Sequence, residues 1–150
     1  MTTRINFYRT SDEYGDFSNF SAHSVFLDGH RWPTSEHYFQ AQKFLDKEHQ
    51  VAIRRANSPG MAARLGRDRK RPLRRDWESV KVDVMRRVLR AKFTQHEELR
   101  TLLLSTGDAL LFEHTSNDAY WGDGGDGSGK NMLGRLLMEL REALRMEAAG

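Results

Sequence analysis

Apolar positions come first in short alternating pieces and then, for most of the chain, at helical spacing. Ile5-Asn6-Phe7-Tyr8 and Ser24-Val25-Phe26-Leu27 read as strands, and Asp28-Gly29 is a hairpin dipeptide returning the chain to Arg31-Trp32. A first long helix is expected from residue 35 to residue 46 or beyond, with Thr34 as its cap. Residues 50–57 read as a second helix that stops before Ser58-Pro59-Gly60, where a shorter one through Met61, Ala62 and Ala63 begins. The clearest amphipathic stretch is 77–93, with Trp77, Val80, Val84, Met85, Val88 and Leu89 on one face. Residues 97–105 form another helix ending at Thr106-Gly107, Leu110 to Glu113 reads as a buried strand, and 131–147 as a closing helix. With no internal repeat and no linker, the pattern is one domain, mainly helical, with a few short N-terminal strands.

The first long helix also carries polar chemistry. Pro33 fixes its own φ and restrains Trp32. Once the helix is running, Glu36, Gln40 and Lys43 stand at i, i+4 and i+7 and share a face, among Tyr38, Phe39 and Phe44. A carboxylate, an amide and an amine beside aromatic rings can serve a ligand. They are equally compatible with scaffold, since Glu36 near the start and Lys43 in a later turn both suit the helix dipole.

Composition narrows the class without deciding it. The 150 residues are 38% hydrophobic and 30% charged, with no run near the ~20 apolar residues of a membrane span. No apolar segment follows Met1-Thr2-Thr3-Arg4, so secretion is not expected. Cysteine is absent, which removes disulfides, a thiol nucleophile and cysteine-based zinc; a reducing, cytoplasmic setting fits. Net charge is only +3, yet residues 64–75 are dense in arginine, with Asp68 as the single acid. Such a cluster attracts phosphate, and a pI of about 9.4 meets the basicity of a nucleic-acid reader, although a merely solvated loop has the same composition. Gly66 and Pro72 mark the segment as a loop, placed as a rim to a site.

Gly124 to Lys130 fits the frame of a phosphate loop, but Asn131 stands where a magnesium-binding Ser or Thr belongs, and Asp123 and Asp126 oppose a triphosphate. An ATPase is therefore not expected, and the alternating ligands of a calcium loop are missing. Two readings stay open: a mobile surface loop, or a backbone that approaches a ligand ahead of a helix with free N–H groups. The six histidines show no paired spacing and there is no G-x-S-x-G elbow, so neither a metal nor a serine nucleophile is expected.

Several blocks of uncommon residues occur in order. Tyr14-Gly15-Asp16-Phe17-Ser18-Asn19-Phe20-Ser21 is followed by Trp32 to Phe44, Leu65-Gly66-Arg67, Asp76-Trp77, Val84-Met85 and Ala91-Lys92-Phe93. Ser105-Thr106-Gly107, Asp118, Trp121-Gly122 and Gly129-Lys130-Asn131-Met132-Leu133-Gly134 complete the series. In these blocks the chain resembles the NADAR family over nearly its whole length. The resemblance implies a compact α+β domain, mainly α-helical, over residues 1–150, and a hydrolase of the C–N bond between ribose and a base-like amine. It implies Lys43, Glu36 and Asp118 as catalytic residues, and Asn19, Phe20, Trp32, Tyr38, Gln40, Arg67, Trp77, Trp121, Gly122 and Asn131 as substrate-binding ones, with no cofactor and no metal.

Two mechanisms follow from that implied site. A ribosylamine opens to an imine that Lys43 captures as a Schiff base while Glu36 moves protons. Alternatively, Glu36 and Asp118 act as a carboxylate pair that directs water. Asn19 is expected to orient the ribose hydroxyls, and Trp121 is preferred to Trp77 for stacking, because Trp77 also opens an apolar helix face. Asp118, after Asn117, equally suits a turn. The resemblance offers ADP-ribose on guanine in nucleic acid as substrate, which the arginine-rich segment favours, with an ADP-ribosyltransferase toxin as the implied partner. Amine-linked pyrimidine intermediates of riboflavin synthesis come close behind, and a non-catalytic ADP-ribose or NAD reader is the other class. No membrane partner is expected.

Overall fold

The computed structural model describes residues 3–150, so Met1 and Thr2, which open the segment read for a leader, lie outside the described residues. The chain gathers into two units, Asn19–Lys92 and a second made of Met1–Ser18 with Phe93–Gly150. Helices dominate both, as the hydrophobic spacing predicts.

In the unit Asn19–Lys92, strands β2 (Val25–Leu27) and β3 (His30–Trp32) form an antiparallel hairpin in which Val25 faces Trp32. Asp28 and Gly29 both have positive φ, 55° and 80°, the geometry a two-residue primed turn requires. Helix α1 (Ser35–Ala41) starts at Thr34, whose side chain accepts from the His37 N–H. His37 is buried and donates its Nε2 hydrogen to the Ala56 carbonyl at 3.0 Å, leaving Nδ1 to accept the Thr34 hydroxyl at 2.8 Å. Burial lowers the His37 pKa against the opposing pull of the Ala56 bond, so this pin between segments is a neutral imidazole.

The expectation of a helix to residue 46 is corrected here, because α1 ends at Ala41. The N–H groups of Lys43 and Phe44 bond the carbonyls three residues back, a tightened last turn. The carbonyls that would continue the helix are taken elsewhere: Arg74 N–H donates to Lys43 O at 2.9 Å and Gln50 Nε2 to Phe44 O at 2.7 Å. Asp46 then caps α2 (Lys47–Arg54), and Ser58 with Pro59 opens α3 (Pro59–Gly66). Residues 64–66, read as loop, are therefore the last turn of α3. Helix α4 (Trp77–Gln95) buries Trp77, Met85, Val88 and Leu89 from its predicted apolar face.

In the other unit, β1 (Arg4–Phe7) pairs in parallel with β4 (Leu110–Glu113), in the register Arg4 to Leu110 and Phe7 to Glu113. Helices α5 (Glu97–Ser105) and α6 (Met132–Ala149) pack around a core that includes Phe7, Phe17, Phe93, Leu103, Leu111 and Leu137. Buried Arg141 of α6 donates to Thr106 Oγ1 and the Ala109 carbonyl, and the nearby Asp108 and Glu142 carboxylates favour its charge. Gly134 lets α6 lie against β4, since a Cβ there would sit 2.1 Å from the Leu111 carbonyl oxygen. No helix among the described residues is long and apolar enough to cross a membrane.

Asn131 joins α6 to β4. It sits in the left-handed region at φ 52°, donates from Nδ2 to Leu111 O at 2.9 Å and accepts from the Glu113 N–H at 3.0 Å. Asn131→Ala should therefore cost about 2–4 kcal/mol in urea melts, from two lost buried bonds and backbone strain. Asn131→Gly should cost less, because glycine accepts the positive φ.

Candidate active site

Helix α1 presents Glu36 and Gln40 one turn apart, both buried. Gln40 Nε2 donates to Glu36 Oε2 at 2.8 Å, the i,i+4 contact that the spacing predicts. The Glu36 backbone N–H is bonded by the Asn19 carbonyl at 3.2 Å, so the chain before the hairpin caps this helix. Asn19 itself is committed to the protein: its Oδ1 accepts from Ser35 Oγ at 2.8 Å and its Nδ2 donates to Met85 Sδ.

Lys43 lies beyond the end of α1, not on its face. Its amine reaches the Gly66 carbonyl in a long 3.5 Å hydrogen bond. Burial pushes its pKa below the usual lysine value, Glu36 opposes this, and the positive charges of Arg67 and Lys81 push further down. A lysine with a depressed pKa beside a carboxylate supplies a neutral amine at lower pH than a surface lysine does.

Lys43 also lines a cavity of about 310 Å³ together with Arg67, Arg69, Arg71, Phe44 and Trp77. Glu36 and Asn19 are not on that wall, so the expected grouping of both with Lys43 in one pocket is only partly realised: Glu36 reaches the amine through its field. Arg71 is the best-held of the basic residues. Its NH1 donates to His49 Nδ1 at 2.6 Å, and its Nε is buried with no hydrogen-bond partner among the described residues. The Asp68 carboxylate stands 3.7 Å from that Nε, close enough to balance charge but outside hydrogen-bond range. The cavity thus has an amine at one place and guanidinium donors at others, a set suited to a phosphorylated sugar.

Trp77 is buried against Phe39 at 5.2 Å, as its place on an apolar helix face predicts, and it also lines the cavity. Trp32 and Tyr38 are core residues: Trp32 donates to the Leu27 carbonyl and Tyr38 to Asp28 at 2.7 Å. Burial, and then the Asp28 carboxylate, raise the Tyr38 pKa, so the phenol stays protonated. Phe20 and Arg67 are exposed.

The remaining expected residues belong to the other unit. Asp118 Oδ1 accepts from the N–H groups of Tyr120 and Trp121 at 2.9 and 2.8 Å, the turn its neighbours predict. Half-buried Trp121 meets Tyr120 edge-on, and Gly122 is buried where a Cβ would lie 2.8 Å from the Asp118 carbonyl oxygen. The glycine loop folds around Asp123, which accepts from Arg4, His114, Thr115 and Gly125. One of the two readings of this loop has free N–H groups following it. Those of residues 130–133 are taken by the carbonyls of Ala119, Gly122, Tyr120 and Trp121.

From sequence, Arg69 and Arg71 belong only to a phosphate-attracting rim, Phe44 to the rings beside the first helix, and Gly66 to a loop. The density of arginine in residues 64–75 was their signal, but which arginines turn inward depends on the tertiary path of the loop.

The sequence profile of the NADAR domain matches residues 6–145. The chain is 68% identical over 145 residues to N-glycosidase YbiA of Escherichia coli K12, covering 97% of this chain and 91% of that protein. It is 46% identical to a riboflavin biosynthesis protein of Vibrio vulnificus, covering 99% of this chain but 40% of that longer one. The NMR structure of the E. coli protein YbiA superimposes with a TM-score of 0.92 at 67% identity, covering 99% of this chain and 89% of that one.

Proposed function

The chain belongs to the NADAR family, and we propose that it is an N-glycosidase that cleaves the C–N bond joining ribose to an exocyclic amine in a phosphorylated substrate. The observation that carries this reading is the cavity in which Lys43, with its depressed pKa, shares a wall with Arg67, Arg69 and Arg71. Guanidinium donors hold a phosphate through charge-assisted bonds, and the sugar then brings C1 towards the amine. The C1–O4 bond of a ribosylamine opens as O4 takes a proton from water, giving a protonated imine. The neutral Lys43 amine adds to C1, and the Glu36 carboxylate takes the proton that the added amine sheds. It passes that proton to the base nitrogen, and the C1–N bond to the base breaks to leave a lysine iminium. Water adds to the resulting lysine imine, its proton passes to the Glu36 carboxylate, and free sugar and Lys43 are restored.

Amine-linked ribosylpyrimidine phosphates of riboflavin synthesis are the substrate favoured here, because relatives similar over nearly the whole chain carry riboflavin biosynthesis names. ADP-ribose on guanine is the second reading, supported by exposed Arg67, Arg69 and Lys70 beside the cavity, where a nucleic-acid backbone can lie. Incubating the protein with a ribosylaminopyrimidine 5′-phosphate and with an oligonucleotide carrying ADP-ribosylguanine separates them by which free amine appears. Release from neither contradicts the glycosidase and leaves a binding module.

Replacing Arg69, Lys70 and Arg71 by glutamate should raise KM for a phosphorylated substrate by roughly 10–100-fold, the worth of one or two charge-assisted bonds. Turnover of the same ribosylamine without phosphate should stay within a few-fold. Steady-state kinetics on the two compounds checks this, and equal loss on both would place the loop in the chemistry or the fold.

A further inference from the structure

We infer that Gly66, acting through Gln40, is the positioning residue that sets Glu36 and Lys43 relative to each other. Gly66 is the last residue of α3 and has helical backbone, so no left-handed φ demands glycine there. Space demands it: a Cβ would lie 2.0 Å from Gln40 Oε1 and 2.8 Å from Gln40 Cδ. Glycine is among the weakest helix formers, so its use at this point marks a close approach of α3 to α1.

What the approach fixes is an amide with one end in use. Gln40 Nε2 donates to Glu36 Oε2, while Oε1 is buried and has no hydrogen-bond partner among the described residues. A buried carbonyl left unsatisfied opposes folding, and a residue kept only for packing would be better as methionine or leucine. Turning the amide over would set Oε1 against the Glu36 carboxylate, so an ionised Glu36 and the Gly66 wall together hold one orientation. The same Gly66 accepts from Lys43 Nζ through its carbonyl. One residue therefore touches both the holder of the carboxylate and the amine.

The role assigned to Glu36 and Lys43 rests on the proposed glycosidase, but Gln40's hold on Glu36 can be read without turnover. Gln40→Met should fold at least as stably as the parent while losing about 10–100-fold in kcat, with KM within about threefold. The Glu36 carboxyl carbon, followed by NMR in labelled protein, should titrate about one pH unit higher, because a donor to the charged form has gone. Gly66→Ala should lose a similar factor in kcat, yet cost less than about twofold more when added to Gln40→Ala, where the new methyl finds room. Unchanged kcat and an unmoved Glu36 midpoint in Gln40→Met would overturn the inference. So would an equal Gly66→Ala penalty in both backgrounds. Should Gly66→Ala fail to fold, Gln40→Met and the titration decide alone. Should the native protein cleave no ribosylamine, the glycosidase fails, while the Glu36 midpoint still decides whether Gln40 holds that carboxylate.

Discussion

Replacing Lys43 by alanine should reduce turnover by more than ~10³-fold, the scale on which losing a covalent nucleophile leaves only binding and field effects. Binding of the phosphorylated product should persist, since Arg67, Arg69 and Arg71 remain on the cavity wall. Lys43→Arg separates charge from chemistry: it keeps a cation but forms no ready imine, and it should be nearly as inactive as alanine. Full activity in Lys43→Arg would make the lysine a binding cation and turn the mechanism to water directed by Glu36. Stability should move the other way. The folded pKa of Lys43 lies below its ordinary value of 10.5, so between the two the unfolded chain holds more protons and stability rises with pH. Below the folded value the full penalty of burying charge is present. Lys43→Met should therefore be as stable as the parent or more so at neutral pH, measured by urea melts.

Glu36→Gln should cost ~10²–10⁴-fold in kcat, the range for a positioned acid–base group. The substitution keeps the shape and a hydrogen-bonding partner for Gln40, so helix α1 should survive, as circular dichroism would show. It also removes a carboxylate that raises the Lys43 pKa, leaving burial and the charges of Arg67 and Lys81 to lower it. Any limb of the pH–rate profile that reports Lys43 should then move to lower pH. A limb that stays in place would mean that Glu36 acts on the substrate alone and does not reach the amine.

Much of the fold was legible because the signals were local. The Asp28-Gly29 turn, the Ser58-Pro59 start of α3 and the span 97–105 all follow from residues within a turn of one another. The Glu36–Gln40 contact was legible for the same reason, being set by helical periodicity. The end of α1 was not, because the Lys43 and Phe44 carbonyls just beyond it are taken by Arg74, far along the chain, and by the Gln50 side chain of the next helix. No local signal reveals that capture, since neither Gln42 nor Lys43 is a helix breaker. Gly66 was read as a loop marker, yet its meaning is the Gln40 carboxamide packed against it. The parallel β1–β4 pair and the consumption of the α6 N–H groups depend likewise on partners brought together only by folding.

Borohydride trapping tests the covalent glycosidase most directly. The native protein is mixed with a ribosylaminopyrimidine 5′-phosphate, reduced, digested and its peptides weighed. The account predicts a reduced ribose-phosphate adduct on the peptide carrying Lys43, together with one free amine released per adduct, and no adduct in Lys43→Arg. Rapid release of the amine by native protein with Lys43 unmodified throughout would contradict it.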